Sequence, residues 1–317
     1  MKLFALRKYF FVIGMLFGAN VLLFSQTEYS NDSSDVIDAP YFIDESDYFI
    51  ENKINWNKLF DIFLYSQKKL INHPMISFNA GLSFQDVSDR VLASSLPFNN
   101  FFNLEYGFVR YDAPYKVREL NEYSSEFVFI EYNSNNYGFL ETNENELTQN
   151  LFSFGMGLRS GLGVSLFDNI NQIYGLHTTA FTWSVFNYDA YTDDKYFNTF
   201  HKNWKFGNKG TATIEYRFND NVNLNLEYDH INVYSGMEYG KWIGSWFFDL
   251  LLQRWIDILD PLFVEQMGLT YSVIKFLYKN SIAAILSEAR KMKQFYPFNS
   301  DYSLLQRRIG IRIKFVF

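Results

Sequence analysis

The chain of 317 residues contains no cysteine, only 6 prolines and no long apolar run after residue 24. The absence of cysteine excludes disulfides, cysteine nucleophiles and thiolate metal sites. Because proline cannot donate a hydrogen bond to a β-ladder, its scarcity permits long strands. A transmembrane helix needs about 20 consecutive apolar residues, and none follows residue 24. Any later segment that crosses a membrane is therefore expected to be a strand.

Aromatic side chains are abundant, with 35 Phe, 23 Tyr and 6 Trp. Aromatic rings pack well on the pleated surface of a sheet, so this composition favours an all-β fold. The formal net charge is −7, and no strong basic cluster is present. We therefore predict no nucleic-acid partner.

The N-terminus has the pattern of a secretory signal peptide. Lys2, Arg7 and Lys8 form a positive region, which is followed by the uncharged stretch 9–24. This stretch is short for a membrane span, so we predict a signal peptide over residues 1–25. An uncleaved anchor is the alternative. Because no cysteine follows, a lipid-anchored mature protein is excluded.

Two segments separate the signal peptide from the main domain. Residues 27–52 carry many carboxylates and no Lys or Arg, so we predict a flexible acidic segment over 26–54. A partner-binding acidic tail is the alternative. Apolar residues then recur at helical spacing and predict an amphipathic helix over 55–74, which ends at His73-Pro74.

From residue 75 to the end of the chain, apolar and polar residues alternate with the period of two that is typical of strands. The clearest segment is 150–166, where nearly every even position is apolar. A change of apolar parity between Val273 and Ile274 is interpreted as a β-bulge. Twelve strands are the main alternative to a total of ten, and eight are less favoured. The ten predicted strands are 76–86, 102–112, 125–139, 150–166, 172–187, 209–218, 222–235, 266–278, 281–293 and 305–317.

The connections between these strands alternate between short and long, which is typical of outer-membrane barrels. The predicted strands also have the length of a tilted transmembrane strand, about 9–11 residues or more. A soluble sandwich with one buried face is the alternative. We favour a transmembrane antiparallel up-and-down β-barrel over residues 75–317. The short connections are 167–171, 219–221 and 279–280, and the long ones are 85–100, 189–209, 235–266 and 295–303.

The chain ends in the alternating segment Arg312-Ile313-Lys314-Phe315-Val316-Phe317. A terminal phenylalanine on such a strand, behind a signal peptide, resembles the bacterial outer-membrane β-barrel proteins as a broad class. The resemblance identifies no subfamily. It implies insertion by the barrel assembly machinery, a Gram-negative-type cell envelope and outer-membrane lipid as a partner. The expected location is the bacterial outer membrane, reached by signal-peptide export.

The polar positions that alternate with the apolar ones along the strands include charges of both signs. These residues are predicted to line the lumen. One interpretation is a pore lining, or an anionic-ligand site near Arg308 and Arg312. The favoured interpretation is a set of Arg–carboxylate pairs that fill a narrow interior, because unpaired buried charge is costly. The predicted lumen residues are Glu105, Arg159, Glu215, Arg217, Glu227, Asp229, Arg308, Arg312 and Lys314.

A weak catalytic hypothesis rests on Asp229, His230 and Ser235, near the outer end of the seventh strand. Sequence neighbours on a strand point to opposite faces, so Asp229 and His230 are not expected to act together. His177 and His201 lack metal-ligand spacing, and no nucleotide- or calcium-binding motif occurs. We therefore predict no metal and no cofactor.

The segment from Trp242 to Phe263 is unusually apolar, with Trp242, Trp246, Phe247 and Trp255 as its most distinctive residues. It is predicted to be a helical external loop that lies in the outer leaflet or over the mouth, where it gates an apolar ligand or docks a partner. Packing on the barrel rim and two additional strands are the alternatives.

Three functional hypotheses follow from these patterns. The leading one is an outer-membrane barrel with a structural, adhesive or small-solute passage role. The second is a carrier for a hydrophobic ligand, gated by the aromatic loop 242–263. The third, an outer-membrane lipid or peptide hydrolase, is the least favoured.

Overall fold

The structure is a computed structural model that describes residues 72–86, 99–112, 120–134, 149–166, 171–188 and 199–317. The side chains of residues 261, 262 and 265 are not described. The predicted signal peptide, the acidic segment and residues 55–71 of the predicted amphipathic helix lie outside these ranges. Residues 73 and 74, which were predicted to end that helix, belong instead to the first strand.

Within the described residues, the chain forms a closed barrel of eight strands. Each strand pairs antiparallel with the next, and the last strand pairs with the first, where Phe78 lies opposite Ile313. The predicted all-β, antiparallel up-and-down barrel is thus confirmed. The strands are β1 His73–Asp86, β2 Asn99–Asp112, β3 Leu120–Ser134, β4 Gln149–Leu166, β5 Asn171–Tyr188, β6 Trp204–Arg217, β7 Val222–Tyr234 and β8 Ser303–Val316.

The predicted number of ten strands was wrong, because the predicted strands 266–278 and 281–293 fall mostly within one long helix, Leu269–Met292. The change of apolar parity between Val273 and Ile274, interpreted above as a β-bulge, has a different cause. Both residues lie on the outward face of this helix, where they are exposed together with Leu277. Lys275 and Lys279, one helical turn apart, are buried on the other face. The predicted turn at 279–280 therefore lies inside the helix.

The strands alternate between a buried polar face and an exposed apolar face. In β4, Ser153 and Arg159 are buried in the interior, whereas Phe154 and Leu158 are exposed on the outer surface. This arrangement is the inverse of a soluble barrel, whose apolar side chains fill the interior. Side-chain alternation therefore assigns most of the charged residues of these strands to the lumen, and most of their aliphatic and many of their aromatic residues to the outer surface.

The connection between β7 and β8 contains all of the long helices in the described part of the chain. They are α1 Tyr239–Trp255, α2 Asp260–Met267 and α3 Leu269–Met292, with a 3₁₀ turn at Asp257–Leu259 between the first two. Gly268, whose φ of 50° is unfavourable for other residues, joins α2 to α3 and lets the chain reverse. No helix among the described residues combines the length and the apolar character of a membrane span.

The helices α1 and α3 run antiparallel and form, with the chain between them, a helical hairpin over residues 239–292. Gln253 Nε2 donates a hydrogen bond to the Lys279 carbonyl oxygen at 3.2 Å, and Arg290 Nη1 lies 3.0 Å from Asp249 Oδ2. The helix α3 packs against β4, β5, β6, β7 and β8. The hairpin therefore lies along the outer wall of the barrel.

We predict that the closed ladder resists unfolding in mild detergent, because a barrel has no free strand edge from which to open. The unheated protein should migrate differently from the boiled protein on a gel. Ile311→Pro removes a backbone donor from β8, which pairs on both sides, and should abolish the unheated form. Gly236→Pro, outside the ladder, is the control. Identical migration with and without boiling would contradict a closed barrel.

Candidate functional site: the ion-paired lumen and the helix-covered wall

The centre of the lumen holds four charged side chains, which we call the central tetrad: Glu105, Arg159, Glu227 and Arg312. The Arg312 guanidinium lies between two carboxylates, with Nη1 in contact with Glu105 and Nη2 2.6 Å from Glu227 Oε2. Arg159 Nη2 lies 3.3 Å from Glu105 Oε2 and 3.7 Å from Glu227 Oε1. All four are almost fully buried, so the tetrad is a neutral cross-link between β2, β4, β7 and β8.

A second charged group lies nearer the end of the barrel from which the β7–β8 connection leaves. Lys209 Nζ is 2.9 Å from Asp229 Oδ2 and 3.7 Å from Glu131 Oε2. Arg308 also contacts Glu131, and its guanidinium lies 5.2 Å from the centre of the Phe101 ring. Two cations and two carboxylates again balance, and together they join β3, β6, β7 and β8.

The opposite end of the lumen, near the two ends of the barrel sequence, is closed by tyrosines around one ion pair. Lys314 Nζ lies 2.5 Å from Glu215 Oε1 and 3.1 Å from the Tyr123 hydroxyl. Tyr111, Tyr123 and Tyr174 contact one another, with ring centroids 5.5 to 5.7 Å apart. Aromatic rings therefore fill the space that the ion pair leaves at this level.

Eight of the nine predicted lumen residues are placed in these three layers, fully buried and ion-paired. The ninth, Arg217, lies at the rim, with Nη2 2.7 Å from the exposed Asp220 and the guanidinium 4.1 Å from the centre of the Tyr111 ring. Neither Arg308 nor Arg312 is free to bind an anion, because each already contacts a carboxylate. The geometry is that of an interior filled by paired charges rather than of a lined pore.

Lys209 and Glu131 belong to this network but were not among the predicted lumen residues. Glu131 lies on β3, which places the aromatic side chains Phe127 and Phe129 on the buried face as well as apolar residues on the outer face. Alternation on β3 is therefore weak in the sequence. The rings on the inside pack under cations: Arg159 lies 4.7 Å from the Phe127 centroid and Lys209 lies 5.2 Å from that of Phe129.

The residues of the catalytic hypothesis do not converge. Asp229 faces the lumen and pairs with Lys209, whereas His230 faces the outer wall and packs against the Tyr228 ring at 4.6 Å. The Ser235 hydroxyl donates to Gln294 Oε1 at 3.2 Å. Asp229 and His230 thus lie on opposite faces of the barrel wall and cannot orient one another. No cluster of side chains with metal-binding geometry occurs in the described ranges.

The two isolated histidines have different surroundings. His177 faces the outer wall, where Nδ1 lies 3.0 Å from Asn280 Oδ1 on α3 and Nε2 lies 3.2 Å from the Thr179 hydroxyl. His201 forms a single bridge with Phe186 at the end of β5. His177 is therefore part of the contact between the barrel and the hairpin.

The aromatic segment 242–263 lies in α1, the 3₁₀ turn and α2, along the wall and not across the mouth. Trp242 packs on the outward rings of Phe181 and Phe206, at centroid distances of 5.8 and 5.4 Å. Trp246 is partly buried, whereas Phe247 and Trp255 are exposed on the side away from the barrel. The structure thus places these aromatic residues away from the position that a gate requires.

A line of polar contacts, which we call the polar seam, joins α3 to the outer wall. Besides the His177–Asn280 contact, Ser272 Oγ donates to the Leu162 carbonyl oxygen at 3.4 Å, and Ser287 Oγ donates to Asn232 Oδ1 at 2.8 Å. Ser303 Oγ donates to the Arg290 carbonyl oxygen at 2.9 Å. The helix therefore crosses the wall diagonally, from β4 to β8.

The wall under α3 carries small residues where the helix approaches closely. A Cβ atom at Gly175 would lie 3.1–3.2 Å from atoms of Phe276, so a larger side chain there would displace the helix. At Gly210 a Cβ atom would meet the Ala283 Cβ at 3.6 Å, which is ordinary contact. A strand that faced lipid directly would not require glycine at these outward positions. The close approach of α3 requires small residues at both of them.

The fold and these faces define a class: a closed antiparallel barrel with an apolar exterior and a charged interior is the architecture of the bacterial outer-membrane β-barrels. No protein-family model matches the sequence, and no curated protein matches it. Among solved structures, Neisserial surface protein A is similar at 9% identity and a TM-score of 0.37, over 77% of this chain and 97% of that chain.

The attachment invasion locus protein Ail of Yersinia pestis is similar at 9% identity and a TM-score of 0.30, over 77% of this chain and 99% of that chain. The same protein in complex with the heparin analogue sucrose octasulfate gives 9% identity and 0.29 over the same shares.

We predict that Arg312→Met destabilises the barrel by about 3 kcal/mol or more, because Glu105 and Glu227 lose a fully buried partner. Lys241→Met is the control and should cost about 1 kcal/mol or less, because the side chains of Lys241 and its partner Glu238 are both exposed. The free energy of unfolding by urea in detergent micelles measures both. Equal losses would contradict a structural role for the central tetrad.

We also predict that Gly175→Leu detaches α3 while the barrel remains closed, because the new side chain occupies the space of Phe276. Limited proteolysis should then cut within residues 239–292, whereas the unheated gel form persists. Gly210→Ala, which introduces only ordinary contact, should leave the hairpin protected. Protection that is unchanged in Gly175→Leu would show that the hairpin does not pack as described.

Proposed function

We propose that this chain is an integral outer-membrane protein whose barrel is a rigid, non-conducting support with a structural or adhesive role. The single observation that carries the proposal is the buried ion-pair network, which joins six strands through the lumen.

The exposed surface of the uncovered wall supports insertion in a bilayer. Phe102, Val128, Leu158 and Ile311, on four different strands, are 51%, 53%, 58% and 60% exposed. Large apolar patches of this kind on a protein mark contact with lipid or another protein. The closed ladder also satisfies the backbone of every paired strand internally, as hydrocarbon requires.

The composition of the lumen opposes a passage role. A solute that moved through the central tetrad would have to separate Arg312 from both Glu105 and Glu227. Separation of a buried ion pair leaves uncompensated charge and costs about 3–5 kcal/mol. An eight-strand barrel is also just wide enough for its side chains to fill. Function is then expected at the long connections and on the outer surface, which the barrel supports.

The last strand supports the expectation of assembly by barrel-insertion machinery. The strand β8 pairs with β1 and β7 along its length, and the residue that follows it, Phe317, is 69% exposed in the closed barrel. An aromatic side chain at this position is therefore accessible to an assembly partner. The carrier hypothesis gains no such support, because the aromatic segment lies along the outer wall of the barrel. The hydrolase hypothesis gains none either, because Asp229 and His230 lie on opposite faces of that wall.

Conductance in planar lipid bilayers tests the proposal. The wild-type protein should insert without steady conductance, because its paired charges fill the lumen. A conducting porin reconstituted in the same bilayers is the positive control for detection of a pore. Steady single-channel steps from the wild-type protein, with ion selectivity altered by Arg308→Ala, would contradict the proposal and favour passage.

A further inference from the structure

The side of the helical hairpin that faces away from the barrel is apolar along most of its length. Phe247, Trp255 and Ile258 on one arm, and Val273, Leu277 and Ile285 on α3, are between 48% and 66% exposed. These values match those of the uncovered wall. In an aqueous loop, six large apolar side chains on one continuous face would be unfavourable.

The length of this face fits within the apolar part of a membrane. From Leu269 to Ile285, the exposed apolar residues of α3 extend over about 24 Å along the helix axis at 1.5 Å per residue, which is the upper limit of their extent along the membrane normal. The apolar band of an outer-membrane barrel is about 25 Å tall. Above that stretch, Glu288 pairs with Arg307 and marks the rim at the end from which the β7–β8 connection leaves.

The charged side chains of α3 within this stretch point away from the apolar face and are paired. Lys275 Nζ lies 2.5 Å from Asp260 and 3.0 Å from Asp257, and Lys279 Nζ lies 2.7 Å from Asp257. Polar residues are few on the outward face: Thr270 lies in the first turn of α3 and Ser281 in its middle. Gln266 lies near the end of α2, and Arg254 lies at the last turn of α1. Paired inward charges and an apolar outward face are what a lipid environment selects.

The wall beneath the hairpin shows the complementary pattern. His177, Asn232 and Ser303 face outward from the barrel, where lipid offers no hydrogen-bond partners. Each of them bonds to α3 in the polar seam, and each is buried. On the uncovered sector, by contrast, the outward positions of β2 and β3 include Phe102, Phe108, Val128 and Ile130. The covered sector of the wall could not face lipid by itself.

We propose that the helical hairpin is immersed in the bilayer, where it covers the polar sector of the wall and contacts lipid acyl chains with its outer face. The apolar belt of the protein is then continuous: the strands supply it wherever their outward residues are exposed, and the helical hairpin supplies it along the diagonal strip where α3 crosses β4 to β8. This inference rests on the proposed outer-membrane location. The partner is the acyl chain of outer-membrane lipid, and not a ligand at the barrel mouth.

Because the chain lacks cysteine, single cysteines can be introduced and labelled with a nitroxide without a background. Leu277→Cys and Ile285→Cys report on the hairpin, Val128→Cys and Ile311→Cys report on the uncovered wall, and Gly236→Cys reports on the aqueous end. The full-length protein is reconstituted in phosphatidylcholine–phosphatidylglycerol vesicles. Collisions of each label with oxygen, which concentrates in lipid, and with a water-soluble nickel chelate are then compared.

The hairpin labels should show the high oxygen and low nickel accessibility of the wall labels, opposite to the label at 236. High nickel accessibility at 277 and 285, with high oxygen and low nickel accessibility at 128 and 311, would overturn the inference. The proposed function would then still stand. Low accessibility to both reagents at 277 and 285 would show that protein, such as a second copy, covers the hairpin, and would also overturn it. High nickel accessibility at 128 and 311 would reject the outer-membrane location itself.

Discussion

The closure of the β-ladder between β1 and β8 is the constraint on which the rest of this structure depends. Once Phe78 pairs with Ile313 and the strands on both sides are paired, the sheet has no edge, and every side chain belongs to an inner or an outer face. Eight strands enclose a space that side chains must fill. Because the inward positions carry many charged residues, the protein satisfies this requirement with ion pairs packed among apolar and aromatic side chains, and not with an apolar core alone.

The inner charges are balanced level by level. The central tetrad, the group around Lys209 and Arg308, and the pair of Lys314 with Glu215 each contain equal numbers of cations and carboxylates. Aromatic rings at Phe127, Phe129 and Tyr123 pack under the cations and fill the remaining volume. Stability and the proposed lack of conductance therefore have one cause, since the pairs that hold strands together also occupy the interior of the barrel.

The outer surface is divided into two sectors. On β2 and β3, it carries exposed aromatic and aliphatic residues, whereas under α3 it carries Gly175, His177 and Asn232, which contact the helix. Small and polar residues on an outward parity would be unfavourable in hydrocarbon unless covered. The wall and the hairpin are thus complementary, and neither sector's composition is understandable without the location of α3.

The sequence by itself determined the class of fold, most strand positions and the inward parity of residues such as Glu105 and Arg312, because alternation with a period of two is a local property of each strand. Only the tertiary structure decided the strand number and the location of α3. In the sequence, the apolar residues of the outward face of α3, such as Val273, Ile274 and Leu277, have the pattern of a strand whose apolar parity shifts by one residue. The burial of Lys275 and Lys279 is explained by their ion pairs with Asp257 and Asp260, which only the folded hairpin brings together. Pairing of charges across the lumen is likewise a property of closure, since the partners lie on strands that are distant in sequence.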